Sequence, residues 1–361
     1  MSHYEQRLEK DLNRIREQVS DVAARVQSGL KDAMHALLTG NDKLAYATIL
    51  GDLPINRRVR SIDRLCHSFI AQHLPSGRHL RWISSVIRTN IELERIGDYA
   101  VTICRESVQM PQPPQGVLAD KLELMCEEAR RMLEQTVDAF ADGNADAAKA
   151  TMGMAKEVDR SLYNTFAELT AERGNCSLQD LMRLFNVFHR LGRVAAQSKN
   201  ICEETVFAVT GETKVPKVYR ILFLDEDNSG LSQMAEAVAR KRFPNSGSYS
   251  RAGRYAASSL NPAIATFLDE RGLELEDNLP KALDLLPQEI AAFHVIVSLQ
   301  GPVKSAIQEV PFQTVVQEWD IPPLTGDLDA AQTLQRMEAI YREISVRVQE
   351  LMQTLRGHVA S

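Results

Sequence analysis

The chain has 361 residues, of which 44% are apolar and 25% are charged. At about 100 to 200 residues per domain, this length predicts two or three globular domains and excludes a wholly disordered chain. The 42 Lys and Arg residues against 48 Asp and Glu residues give a net charge of −6, so no basic surface for nucleic acid is expected. Since no apolar run approaches the roughly 20 residues that span a bilayer, the sequence predicts a cytoplasmic protein.

Long helices are predicted for the first 210 or so residues. Apolar residues recur every three or four positions between Leu8 and Leu37, which is one stripe of a helix over residues 5–38. Further helical patterns cover about 42–72, 78–109, 117–141, 144–173 and 178–209. The Pro-rich stretch 110–116 divides these helices into two groups of three.

The two helical groups also match each other at nearly constant offsets. The pairs separated by 103 positions include Gly40 and Gly143, Asn41 and Asn144, and Asn56 and Asp159; those separated by 98 include Ile103 and Ile201, Cys104 and Cys202, and Glu106 and Glu204. Such internal similarity predicts a tandem pair of three-helix bundles, one over residues 1–110 and one over 117–212.

A different period begins after a linker near 212–217. Residues 218–224 form a short apolar run typical of a strand, followed by turn-forming residues and a helix from about Ser232. A second buried strand is predicted at 293–299 and an amphipathic helix at about 329–355. The sequence therefore predicts a small α/β domain with a parallel sheet over residues 217–361.

Candidate metal ligands lie on the second and third predicted helices. Glu94 and Asp98 are four residues apart and so share one face of a helix, and Asp52 and Asn56 have the same spacing on the preceding helix. Oxygen-bearing side chains of this kind suit hard divalent cations and iron-type or manganese-type ions. From spacing alone, the alternative that these are solvated surface charges stays open.

The helical half resembles the PhoU family of phosphate-signalling accessory proteins. The resemblance is carried by four segments: 52–56, 80–88, 93–100 and 206–212. It implies two three-helix bundles that bind metal through Glu/Asp-x3-Asp motifs. It also implies control of phosphate uptake and phosphate-starvation signalling through the ATPase of a phosphate ABC transporter and a phosphate-sensing histidine kinase. We expect a homodimer that reaches the inner membrane only through these partners.

Compared position by position, the two repeats differ in these ligands. The first repeat keeps Asp52, Glu94 and Asp98, with Asn56 where the family usually has Asp. The corresponding residues of the second repeat are Ala155, Asp159, Gly192 and Ala196. One metal site, in the first repeat, is therefore expected.

The C-terminal half is similar to low-molecular-weight protein tyrosine phosphatases and the related arsenate reductases, whose loop has the form Cys-x5-Arg-Ser. The similarity is carried by residues 221–237, 250–253, 267–273 and 319–322. In those enzymes a cysteine thiolate attacks, an arginine clamps the oxyanion and a later Asp protonates the leaving group. Asp225, Leu231 and Pro323 occupy these three positions here. A domain without enzymatic activity is therefore expected.

The remaining loop is expected to exclude phosphate. Asp225 places a carboxylate where the anion would lie, which costs about 4 kcal/mol at about 4 Å and an effective dielectric near 20. We expect this carboxylate to accept N–H groups of the degenerate anion loop, which comprises Asp225, Asn228, Ser229, Gly230 and Ser232. Leu231 would then offer an apolar contact to a protein partner.

Two alternative functions remain open from the sequence. One is a metal-dependent phosphatase that uses Asp225 and Asp227 as an Asp-x-Asp pair. The other is a purely structural dimerisation module.

Overall fold

The protein divides into two compact units, Met1–Lys214 and Val215–Ser361. The computed structural model describes residues 3–158, 161–162, 177–213, 217–275, 279–323 and 329–357. The first unit is helical and the second contains a parallel sheet. The predicted fold class is confirmed.

The first unit consists mainly of long helices, and equivalent residues of the two repeats cap equivalent helices. Their bounds are α1 His3–Thr39, α2 Asp42–His73, α3 Gly77–Ser107, α4 Gly116–Asp142, α5 Ala145–Met152 and α6 Leu178–Thr210. Asn41 accepts the Leu44 N–H at 3.1 Å before α2, and Asn144 accepts the Ala147 N–H at 3.0 Å before α5. The asparagine pair found by repeat comparison therefore caps equivalent helices.

The helix predicted over 144–173 is interrupted, so that prediction was wrong in extent. α5 ends at Met152, Gly153 and Met154 form a turn, and residues 155–158 are helical again. Glycine favours such a break because it loses more backbone entropy in a helix than other residues do. Residues 159–160 and 163–176 lie outside the described residues, and with them Asp159.

One continuous hydrophobic core runs through both helical repeats. Its buried members include Leu93 and Ile96 of α3 together with Leu191 and Val194 of α6. α3 packs along α6, and α1 contacts α2, α3 and α4. The two repeats therefore bury their apolar stripes against each other and form one folded unit.

The second unit is a four-stranded parallel sheet with order β2-β1-β3-β4. Its elements are β1 Tyr219–Asp225, α7 Leu231–Arg242, β2 Gly247–Gly253, α8 Pro262–Glu270, α9 Pro287–Ile290, β3 Val295–Ser298, β4 Val315–Glu318 and α10 Ala330–Arg356. Residues 303–305 add a 3-10 turn. The central strands β1 and β3 are those that the apolar runs predicted. Among the described residues, no helix is long and apolar enough to cross a membrane.

Candidate functional site

On α2, the side-chain oxygens of Asp52 and Asn56 are buried and only some of them have a hydrogen-bond partner. The side chain of Asn56 donates from Nδ2 to Asp52 Oδ2 at 2.7 Å, and Asp52 is only 8% exposed. Asp52 Oδ1 and Asn56 Oδ1 are both buried and have no hydrogen-bond partner within the described part of the chain. Buried oxygens of this kind require a donor or a cation, because the lost hydration is otherwise uncompensated.

The carboxylates of Glu94 and Asp98 on α3 add negative charge close to Asp52. Burial raises the pKa of Asp52, and the negative charge of Asp98 raises it further. Burial and the same Asp98 charge also raise the pKa of Glu94, whereas Arg60 opposes that rise. The pKa of Asp98 is itself raised by burial and lowered by Arg105. Negative charge on Asp52, Glu94 and Asp98 is therefore held close together at a cost that a bound cation would relieve.

Glu94 and Asp98 share one face of α3, as their four-residue spacing predicted, and this face is the outer one. Glu94 is half-buried and Asp98 is exposed, whereas Leu93 and Ile96 are buried. In residues 3–158 and the other described ranges, no three His, Cys, Asp or Glu side chains are already placed to hold a metal ion. The four predicted ligands are thus neighbours on two helices and do not form a closed ligand shell as they stand.

Gly97 is a further residue of this site that the sequence reasoning missed. A Cβ atom at Gly97 would lie 3.0 Å from Asp52 Oδ1, so any side chain there would press on the carboxylate. The position 98 residues later is Ala195, which is 1% exposed, and the counterpart of Asp52 there is Ala155. Glycine is thus present in the repeat that has the carboxylate, and this comparison between repeats could have revealed it.

A groove opens beside Asp52. Its volume is about 270 Å³, and three glycines, Gly29, Gly51 and Gly97, line it. Because these residues lack side chains, the groove brings solvent and small ions close to the otherwise buried Asp52.

The second repeat has apolar packing at the equivalent positions. Gly192 is buried, and a Cβ there would lie 3.1 Å from Leu162 Cδ2. Ala155 belongs to the helical core. At positions 155 and 192, where the first repeat has Asp52 and Glu94, the second repeat therefore has apolar packing.

The loop after β1 in the C-terminal unit is filled by its own carboxylate. Asp225 is 3% exposed; its Oδ1 accepts the Asn228 N–H at 2.7 Å and its Oδ2 accepts the Ser232 N–H at 2.9 Å. Burial raises the pKa of Asp225, and the bonds from Ser232 and Asn228 oppose that rise. Both carboxylate oxygens therefore bind backbone donors, as expected from the sequence.

Asn228 holds this loop in one conformation. Its φ is +56°, which is left-handed, and its Nδ2 donates to Ser232 Oγ at 2.8 Å. Gln233 Nε2 donates to the Asn228 carbonyl at 2.8 Å, and the Lys281 N–H donates to Asn228 Oδ1 at 2.9 Å. A Cβ at Gly253 would lie 2.5 Å from the Asn228 nitrogen. Such a bonded and crowded loop can persist in the folded unit without a ligand.

The other two positions that the resemblance assigned to catalysis hold Leu231 and Pro323. Leu231 is 4% exposed and belongs to the hydrophobic core, so the expectation that it offers a contact surface was wrong. It begins α7 on the side of that helix that packs into the core. Pro323 is exposed.

The Asp-x-Asp interpretation fits this geometry poorly. A nucleophilic Asp225 would need an accessible oxygen, yet both of its oxygens accept N–H groups in a buried setting. Asp227 accepts the Ser229 N–H at 2.9 Å through Oδ1. That bond makes Asp227 part of a local turn.

The fold and these two sites define a class of two-unit protein. One unit has paired helical repeats with carboxylates on the first repeat, and the other has a parallel sheet whose loop after β1 is occupied by the carboxylate of Asp225. Residues 19–107 and 122–205 match the family model described as PhoU domain. Both helical repeats therefore match the PhoU domain model, and the resemblance expected from the sequence is confirmed.

Individual relatives cover the same part of the chain. The phosphate-specific transport system accessory protein PhoU homolog of Pseudomonas aeruginosa is 26% identical over 245 residues, which are 66% of this chain and 96% of that protein. The crystal structure of PhoU from Pseudomonas aeruginosa has a TM-score of 0.54 at 26% identity and covers 56% of this chain and 99% of that chain. An arsenate reductase structure from Archaeoglobus fulgidus has a TM-score of 0.30 at 25% identity and covers 37% of this chain and 98% of that chain.

Proposed function

We propose that this protein is a cytoplasmic, non-enzymatic regulator that restrains phosphate uptake and phosphate-starvation signalling. It would act as a homodimer that contacts the ATPase of a phosphate transporter and a phosphate-sensing histidine kinase. The observation that carries the proposal is the PhoU domain match in both helical repeats. The relatives named as accessory proteins of a phosphate-specific transport system support it.

The metal site of the first repeat is a second part of this proposal. Asp52 and Asn56 would supply the buried oxygens that lack a partner, and Glu94 and Asp98 would turn toward the ion from the face of α3. A divalent or iron-type cation bound there would neutralise the repelling carboxylates. It would also tie α2 to α3 beside an open groove.

The C-terminal unit would act by protein contact. Its loop is filled by Asp225, and the positions of the attacking thiolate, the clamping arginine and the general acid hold Asp225, Leu231 and Pro323. A domain with this fold and without those groups is suited to recognition.

Phosphate uptake tests the regulatory role. In the organism that encodes the chain, deletion of its gene should raise radiolabelled phosphate uptake in phosphate-rich medium, because the restraint on the transporter is lost. The full chain supplied from a plasmid should restore normal uptake. Unchanged uptake after deletion would contradict the proposal.

Metal content tests the site itself. Glu94→Ala/Asp98→Ala should lose metal measured by elemental analysis of the purified full chain, and it should keep its helical circular dichroism. The matched control is Glu134→Ala/Asp138→Ala, which removes the same two residue types at the same spacing from the exposed face of α4. Equal metal content in the two double variants would refute the assignment.

A further inference from the structure

Two adjoining cavities lie between the helical repeats, away from the Asp52 group. The outer one has a volume of about 480 Å³ and the inner one about 60 Å³. Arg16, Trp82, Phe140 and Ala141 line both. The shared lining makes the inner cavity an extension of the outer one into the helical core.

The inner cavity is lined mainly by apolar side chains, and its polar lining residues are Arg16, Ser20 and Thr89. Val19, Leu93 and Ile201 are among its lining residues, and so is Thr89, which is 2% exposed. Thr89 Oγ1 has no hydrogen-bond partner within the described residues. A hydroxyl buried without a partner is destabilising, and a ligand atom that bonds to it would remove that cost.

The hydrogen bonding of Thr89 differs from that of three other helical threonines, Thr48, Thr102 and Thr205. Thr205, which lines the outer cavity, donates to the Ile201 carbonyl one turn earlier at 2.9 Å. Thr48 and Thr102 make the same kind of bond on α2 and α3. This intrahelical bond is the usual way to satisfy a threonine in a helix. The hydroxyl of Thr89 is left for a partner outside its own helix.

The outer cavity carries cationic groups next to an aromatic ring. Arg16 and Arg78 line it, and the Arg16 guanidinium carbon lies 5.1 Å from the centre of the Trp82 ring. Glu9 and Asp142 also line it, and Glu9 pairs with Arg16 at 3.1 Å, with both of these side chains about half exposed. Exposed pairs of this kind contribute little, so an anionic ligand can replace Glu9 at Arg16.

We propose that these cavities form a binding site for a small aromatic anion. Its ring system would lie in the apolar part beside Trp82, an N–H or O–H group on the ring would donate to Thr89 Oγ1, and its acidic group would lie at Arg16 and Arg78. Such a ligand would bridge the two repeats of the helical unit. This inference rests on the cavities and on Thr89 and does not depend on the proposed metal site or partners.

A fluorescent aromatic anion, 8-anilinonaphthalene-1-sulfonate, tests the site in the full chain. The chain has two tryptophans, so the measurement uses a Trp319→Phe background, in which Trp82 is the remaining one. We expect saturable binding with energy transfer from Trp82, and loss of that transfer in Trp82→Phe. Arg16→Gln should raise the probe Kd about two- to five-fold, as expected for an exposed charge pair. The uncharged analogue N-phenyl-1-naphthylamine should bind more weakly than the sulfonate.

The variant Thr89→Val shows whether the Thr89 hydroxyl binds the ligand or has only a structural role. Removing the unpaired hydroxyl should raise the melting temperature of the free protein and raise the probe Kd about two- to ten-fold, the range of one net hydrogen bond. Thr89→Ser should keep the wild-type Kd. Thr205→Val is the matched control and should leave the Kd unchanged, because that hydroxyl is already bonded within its helix.

Three results would overturn the proposal. The first is an unchanged probe Kd in Thr89→Val with a raised melting temperature. The second is equal affinity for the sulfonate and its uncharged analogue. The third is energy transfer that persists in Trp82→Phe.

Discussion

Replacing Asp225 by alanine tests whether the carboxylate substitutes for a ligand in the C-terminal loop. The change leaves the N–H groups of Asn228 and Ser232 buried without their acceptor. Each unsatisfied donor costs about 1 to 3 kcal/mol, and removing a buried charge returns part of that sum. We therefore expect the free energy of unfolding of this unit to fall by about 2 to 4 kcal/mol, or roughly 5 to 15 °C in Tm.

Trp319 makes this measurement specific to the C-terminal unit. It is 5% exposed, and its ring centre lies 6.0 Å from that of Phe223, so its fluorescence should change when this core unfolds. In a Trp82→Phe background, denaturant titrations then report the unit alone. Asp227→Ala is the matched control: it removes the acceptor of one half-buried turn, and its cost should stay below about 1 kcal/mol.

Phosphate gives the same prediction a second readout. Millimolar phosphate should leave the Tm of the unmodified unit unchanged, because the donors of the loop are already bonded to Asp225. In Asp225→Ala the freed donors at the start of α7 should bind the anion and recover part of the lost stability. The reasoning is refuted if Asp225→Ala is as stable as the unmodified protein, or if phosphate stabilises the unmodified unit and the alanine variant abolishes that effect.

Three further predictions concern the helical unit. Burial raises the pKa of Asp52, Glu94 and Asp98, and the charge of Asp98 raises that of Asp52 and Glu94 further. The stability of the metal-free protein should therefore decrease as pH rises through those raised values; denaturant titrations with a chelator from about pH 4 to about pH 7 check this, and a flat profile would contradict it. Gly97→Ala should weaken metal binding, measured by calorimetry, because its Cβ would press on Asp52 Oδ1, whereas in an Asp52→Ala background it should stabilise α3 by up to about 1 kcal/mol. A chain that ends at Glu212 should keep its helicity and unfold cooperatively, since the helical core is separate from that of the C-terminal unit; a molten spectrum would disprove this.

Some residues could be assigned to the candidate site from the sequence, and others could not. The four-residue spacing of Glu94 and Asp98 placed them on one face of α3, and this face is the outer one. Gly97 could not be assigned in that way, because its importance comes from Asp52 on another helix. The 3.0 Å that would separate a Cβ at position 97 from Asp52 Oδ1 is set only once α2 and α3 have packed together.

The sequence alone determined the class of each half of this protein. Apolar residues that recur every 3.6 positions, and continuous apolar runs, indicate which faces of an element are buried. These patterns depend only on residues close together in the sequence. They correctly placed the strands β1 and β3 and most of the long helices, but not the extent of the helix predicted over 144–173. The repeat comparison found the matched pair Asn41 and Asn144, which cap equivalent helices. The sequence did not predict the strands β2 and β4. β2 includes Ser248, Ser250 and Arg251 and so lacks an apolar run.

The tertiary structure alone decided how the helical repeats combine. Both repeats present apolar stripes, and the stripes of α3 and α6 are buried in one shared core. Packing between helices depends on the fit of side chains that are distant in sequence, so neither this shared core nor the cavity at Thr89 follows from any local pattern. In the loop of Asp225 the sequence predicted that N–H groups bond the carboxylate, and the structure decided which donors do so, Asn228 to one oxygen and Ser232 to the other.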